Sequence, residues 1–315
     1  MTSPTPPART PARIDWKTAA QVGGSLLSLL LLVGLVHQQG WDEVISAVRR
    51  IPLPVVFAAL AAMLLSRLCV VLRWFVLLRS AHAAVSFKAI FELVFVGLFA
   101  SNFLPSTIGG DVVRLAGAVM LRVDAGLSAA SLVADRLIGM AGMSVMLPAG
   151  LITITSRAAA GLAALPAAVL PVLPRRWGEK IKSFIRQVLV SLRHWLQHPR
   201  GLLAAFAATL GHMVCTFFSV SLLLSALGTP LDFWKIGGLW SLSYFITLLP
   251  VSINGLGLQE VSISYLYHTF GGVPLENTLT LSLMMRLLFV GASLPGALFL
   301  PLLAGLRKAD SDHTS

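Results

Sequence analysis

The chain has 315 residues, 56% of them hydrophobic and 12% charged, with a formal net charge of +11. Soluble domains carry about 25% charged residues, so a soluble globular protein is excluded, and the mean hydropathy of +0.83 agrees. Nucleic-acid binding is excluded too, because the basic residues fall largely in short loops between long apolar runs, where they act as topology and lipid-surface signals.

Residues 1–17, rich in Pro, Ser, Thr and Ala, read as a disordered tail. Thr18–Val36 is longer than a signal-peptide core and no small-residue cleavage site follows, so a retained first helix is expected. Further apolar runs are Leu53–Leu72, Phe87–Leu104, Leu127–Thr155, Ala158–Leu173, Gly201–Leu227, Phe233–Pro250, Val251–Phe270 and Thr278–Ala304. Residues 305–315 form a second short tail. The pattern predicts an all-α polytopic membrane protein. Cys69 and Cys215 each lie inside an apolar run, with no disulfide framework and no zinc-type spacing.

Orientation follows from the basic residues. Segment 175–200 holds Arg175, Arg176, Lys180, Lys182, Arg186, Arg193 and Arg200 against Glu179, and is expected to be cytoplasmic. So are both termini and a 73–88 loop carrying Arg73, Arg79 and Lys88. If every run crossed once, parity would put 175–200 outside. The conflict disappears if Phe87–Met120 enters and returns on the cytoplasmic side, with its tip near Pro105–Asp111. Phe233–Phe270 must then do the same from outside, with its tip near Pro250–Gly257. Within 175–200 an apolar stripe (Trp177, Ile181, Phe184, Ile185, Val188, Leu192, Trp195) reads as an amphipathic helix on an anionic leaflet; a solvated linker is the alternative. His194 and His198 are spaced i, i+4 but lack a third ligand, so no metal and no cofactor is expected.

The two hairpin tips resemble each other. The first runs Asn102-Phe-Leu-Pro105, then Gly109-Gly110-Asp111 and Arg114; the second runs Pro250, Asn254-Gly255, Gly257 and Glu260. Asp111 precedes Arg136, and Glu260 precedes Arg286, by nearly the same interval. Two halves, 18–155 and 158–304, are therefore expected, each with three spanning helices and a re-entrant, broken-helix hairpin. Opposite starting sides would make them inverted-topology repeats, the design of alternating-access carriers. Chance likeness of two Pro/Gly turns is the competing reading.

Proline removes a backbone donor and glycine permits unusual angles, so both tips break their helices. Broken backbone at membrane depth is tolerated only within protein or beside a wet cavity. Helix ends restarting there would favour an anion such as a lipid phosphate. Glu92, Asp111, Asp135 and Glu260, with Arg67, Arg114, Arg136 and Arg286, lie inside apolar runs. A charge at a helix centre costs about 2.5–3.5 kcal/mol on insertion scales, so these must pair or be solvated. Asp111 and Arg114 are one turn apart and can share a face. Asp135 and Arg136 point in different directions, which makes pairing across the two halves attractive. The charges either form interhelix clamps or, for Arg114, Arg136 and Arg286, hold a phosphate.

Asn102-x-Leu104-Pro105-x3-Gly109-Gly110-Asp111-x2-Arg114 with Asp135-Arg136 resembles the first signature of the lysylphosphatidylglycerol synthase transmembrane-region family. Pro250 through Gly255-x-Gly257-x2-Glu260 resembles the second, with Asn254 where a glycine or small residue is expected. The likeness spans about residues 20–305. It implies translocation of a phospholipid or lipid-linked head group in a bacterial cytoplasmic membrane, or a supporting role in lipid, glycolipid or hopanoid synthesis. It does not imply aminoacyl transfer.

Two non-enzymatic functions therefore stand: a flippase for an anionic phospholipid or lipid-linked intermediate, and an accessory subunit that recruits a lipid-synthesis enzyme through 175–200. The chain contains no HExxH, GxSxG or paired-aspartate metal motif and no GxxxxGK[ST] loop, which argues against an enzyme and against ATP as driving force.

Overall fold

Proline and capping side chains open most of the helices. The computed structural model describes residues 41–102, 109–158, 199–248, 252 and 255–300, with single positions 30, 33, 34 and 37. Its helices are α1 (Trp41–Arg50), α2 (Leu53–Ser80), α3 (Phe87–Ser101), α4 (Gly109–Met120), α5 (Ala125–Ala158), α6 (Pro199–Ala226), α7 (Phe233–Thr247), α8 (Leu258–Leu266, continued by a π-helical turn Tyr267–Gly271) and α9 (Leu275–Ser293). There is no strand among the described residues. The helical stretches Leu53–Ser80, Ala125–Ser156, Pro199–Ala226 and Leu275–Leu300 are long and apolar enough to cross a membrane. On α2, Leu53, Phe57, Leu65 and Leu72 remain exposed. Its other face buries Trp74 and Leu78 in one apolar cluster and Met63 in another. A helix apolar on both faces belongs in lipid, and the protein is a multi-pass membrane protein.

Between the long helices lie two short helical hairpins. Helices α3 and α4 have 15 and 12 residues. At 1.5 Å per residue they reach about 22 and 18 Å, less than the roughly 30 Å of hydrocarbon. They run back along each other. A Cβ on Gly110 would meet the Gly97 carbonyl oxygen at 2.5 Å, and one on Gly117 would strike the Leu93 side chain. Only a residue without a side chain lets the two backbones approach this closely. In the second hairpin the Tyr267 hydroxyl donates to the Ile236 carbonyl at 2.9 Å near the base. At the other end Gly255 lies against Thr247.

The two halves share a numerical frame. α2 and α6 each have 28 residues and begin 146 positions apart, at Leu53 and Pro199. α3 and α7 each have 15 and begin 146 apart, at Phe87 and Phe233. Each of the latter is capped by the residue before it: Ser86 accepts from the Ala89 amide at 3.2 Å and Asp232 from the Trp234 amide at 2.9 Å. α2 and α6 are antiparallel. The Ser219 hydroxyl donates to the Ala59 carbonyl, Ser66 bonds His212, Arg73 donates to Thr209, and Ser80 touches Gly201.

One reading is corrected here. Arg73 does not begin a loop after Leu72. The helix continues to Ser80, and Arg73 is buried. Each half contains two long helices among the described residues. The expected third spans, 18–36 and 158–173, lie outside the described residues apart from single positions, as do the 175–200 segment through His198, with His194, and the tips at Pro105, Pro250 and Asn254.

Candidate functional site

Five charged side chains of the first half form one connected network. Arg73 on α2 grips Asp135 on α5 with two bonds, Nε to Oδ1 at 2.6 Å and Nη2 to Oδ2 at 3.1 Å. Arg114 on α4 donates through both Nη atoms to Asp135 Oδ2 at 3.3 Å. It also reaches Asp111 Oδ1 at 3.3 Å. Arg136 Nε donates to Asp111 Oδ2 at 2.5 Å. The Arg114 guanidinium lies over the Trp74 ring, 4.2 Å from its centre, and Trp74 Nε1 donates to Ser131. Asp135, 2% exposed, thus has two guanidinium partners, which offset the cost of burying its carboxylate.

Asp111 and Arg114 share a face as expected. Pairing across the halves does not occur among the described residues: Asp135 and Asp111 find their arginines within residues 73–136. The reason is geometric. Arg73 and Arg114 sit on helices packed on α5 and point their guanidinium groups at Asp135. Arg136 is also not buried; its side chain is 42% exposed.

The second half repeats one of these pairs. Arg286 Nε on α9 donates to Glu260 Oε1 on α8, and Arg286 Nη2 donates to the Gly255 carbonyl at 3.3 Å. Gly255 and Gly257 hold φ of +69° and +75°, which places glycine where an L side chain would be strained. These two turns deliver Glu260 to Arg286. Glu92, by contrast, is only 4.0 Å from Lys88 on the outer part of α3.

A cavity of about 350 Å³ lies where the hairpins and the α2–α6 pair converge. The first hairpin contributes Leu98, Ser101 and Asn102. The second contributes Trp240, Ser243, Tyr244, Thr247, Gln259 and Ile263. The α2–α6 pair contributes Arg67, His212 and Thr216, and α9 adds Arg286, Phe289 and Ser293. Asn102 Nδ2 donates to Ser293 Oγ at 2.8 Å, tying the first hairpin to α9. Ser66 Oγ lies 2.6 Å from His212 Nδ1 and 3.2 Å from Thr216 Oγ1.

Of the residues singled out in the sequence, Arg67, Asn102 and Arg286 line this cavity. Gln259, beside Glu260, brings the first turn of α8 to it. Gly109 and Gly110 open α4, where Gly110 packs on Gly97 and Ser101 of its own hairpin. Asp111 and Arg136 border a separate apolar pocket of about 280 Å³ with Val112, Leu115, Leu132 and Val133. Arg114 and Asp135 are enclosed in the network.

Arg73 and the cavity residues His212 and Gln259 were not singled out by sequence, whereas Arg67 was, as a charge inside an apolar run. A signal for Arg73 existed: the run Trp74 to Leu78 that follows it is uniformly apolar, so the helix does not end at the charge. No group of three potential metal ligands occurs among the described residues.

Long apolar helices enclosing paired charges and a cavity with polar side chains in its wall define an integral membrane protein of the multi-pass helical class. The chain belongs to the lysylphosphatidylglycerol synthase transmembrane-region family, whose sequence model matches residues 21–296. No curated protein matches it. Membership ties the chain to membrane-lipid function.

Proposed function

We propose that the protein moves a phospholipid or lipid-linked head group across the bacterial cytoplasmic membrane, without catalysing a reaction and with both termini in the cytoplasm. The head group enters the central cavity while the acyl chains stay in the bilayer. The observation that carries this reading is the cavity itself, a space of about 350 Å³ lined by both polar and apolar side chains, with walls drawn from both hairpins and from the middle of α2 and α6. Polar side chains at membrane depth are costly unless paired or facing a wet cavity, and there they mark a path for a polar group.

The reading takes the two halves as inverted repeats. It is supported by helices of equal length 146 positions apart, by the antiparallel pairing of α2 with α6, and by the recurrence of Asp111–Arg136 as Glu260–Arg286. Rocking of one half on the other would open the cavity alternately to each leaflet. The driving force is an ion gradient or the lipid gradient.

The test is scrambling of a fluorescent phospholipid by the purified protein in liposomes, read by chemical quenching of the outer leaflet. Scrambling is expected for the natural sequence and its loss for Gln259→Trp, which fills the cavity. Scrambling no faster than in protein-free liposomes would overturn the proposal in favour of the accessory role. Co-purification of a lipid-synthesis enzyme that depends on residues 175–200 would then identify the partner.

A further inference from the structure

Arginine side chains at membrane depth need partners for a guanidinium that carries five donors. Arg73, Arg114, Arg136 and Arg286 have them, each bonded to a carboxylate. Arg67 does not. It has no carboxylate partner among the described residues; its Nη2 rests 3.7 Å from the Met63 sulfur and its guanidinium lies 4.8 Å from the centre of the Phe289 ring. Its Nε is buried and has no hydrogen-bond partner. Arg67 sits near the middle of the 28-residue α2 and lines the central cavity.

The cavity's charge is therefore simple. Arg286, the other arginine in its wall, is neutralised by Glu260. His212 is bonded through Nδ1 to Ser66. Among the described residues one positive charge in the wall remains uncompensated, facing a space that also offers the side chains of Asn102, Thr216, Ser243 and Gln259. A planar guanidinium with free donors matches two oxygens of a phosphate.

We infer that Arg67 holds the phosphate of a phosphodiester head group bearing a single negative charge. This rests on the lipid-translocation reading and narrows it. The phosphate of the lipid gives Arg67 the anionic partner that a carboxylate gives the other arginines, and the neutral polar side chains surround the rest of the head group. The paired arginines are positioning residues that hold the helices together. Selectivity follows from the charge balance. A phosphodiester with one negative charge is neutralised by Arg67 alone, whereas a phosphomonoester would bring a second charge with no partner.

The experiment is ligand-induced thermal stabilisation of the purified full-length protein in detergent. The probes are short-chain phosphatidylglycerol, short-chain phosphatidic acid and inorganic phosphate. Phosphatidylglycerol is expected to stabilise the natural sequence saturably, more strongly than phosphatidic acid. Arg67→Gln should weaken this binding about tenfold or more, the effect of losing a charge-assisted contact, and Arg67→Lys should retain part of it. Without ligand, Arg67→Gln should be at least as stable as the natural sequence, because no native ion pair is lost, whereas Arg73→Gln should be less stable. Equal binding by the natural protein and Arg67→Gln overturns the inference. So does Arg67-dependent binding of inorganic phosphate with none of the lipid. Binding is read without transport: Arg67-dependent binding by a protein that does not scramble lipid sustains the site and removes the flippase role, while scrambling that survives Arg67→Gln unchanged does the reverse.

Discussion

Arg73 holds Asp135 through two separate hydrogen bonds, Nε to Oδ1 at 2.6 Å and Nη2 to Oδ2 at 3.1 Å, joining α2 to α5 in the interior. Removing one member of a buried pair leaves an uncompensated charge, which typically costs about 3–5 kcal/mol. Asp135→Ala strands Arg73 and Arg114 together and should be strongly destabilising. Arg73→Met with Asp135→Leu should recover stability relative to Asp135→Ala, with Arg114 still anchored on Asp111. Thermal unfolding of the purified variants in detergent measures both, and equal loss in the single and double variants would argue against the pairing.

The two corresponding pairs differ in environment, and that difference is measurable. Arg136 is 42% exposed at its side chain, so its bond to Asp111 is screened and Arg136→Ala should cost about 1 kcal/mol or less. Glu260 is 3% exposed, and Arg286→Ala leaves its carboxylate buried without a partner; a loss of about 3–5 kcal/mol is expected. The same unfolding assay should rank Arg286→Ala well below Arg136→Ala in stability. The reverse order would mean that burial does not govern these pairs.

Gly97 and Gly110 set the spacing of the first hairpin. A methyl group at Gly110 meets the backbone of Gly97 and the Ser101 hydroxyl, and neither backbone can yield without moving a helix. Gly110→Ala should cost about 1–3 kcal/mol through overpacking. Gly291→Ala is the control. Its new methyl finds only Leu60 at 3.6 Å, and alanine's better helix propensity should leave stability unchanged or slightly raised.

Cavity hydration is testable by thiol labelling after Cys69 and Cys215 have been replaced by alanine. Gln259→Cys and Thr247→Cys, both on the cavity wall, should react with a membrane-impermeant maleimide. Leu65→Cys, exposed on the apolar outer face of α2, should not, since hydrocarbon excludes the reagent. Labelling of Leu65→Cys alone would show that the cavity is dry.

The chain by itself determined the membrane class, the long apolar helices and the folding back of Phe87–Met120. The first two follow from hydropathy over a span's length, and the folding back from the number of crossings that the basic segments allow, with glycine and proline marking its tip. It also showed that Asp111 and Arg114 could meet, because helical geometry sets their one-turn spacing. The pairing of Asp135 with Arg73, rather than with an arginine of the other half, was decided only by tertiary structure. Helix packing determines which guanidinium lies closest; the apolar run after Arg73 shows that the helix continues, but not which side chain its charge meets. The isolation of Arg67 has the same origin. Both arginines lie on the apolar helix α2, yet Arg73 faces a carboxylate on α5 and Arg67 a cavity, because side chains six positions apart on a helix point to different surroundings.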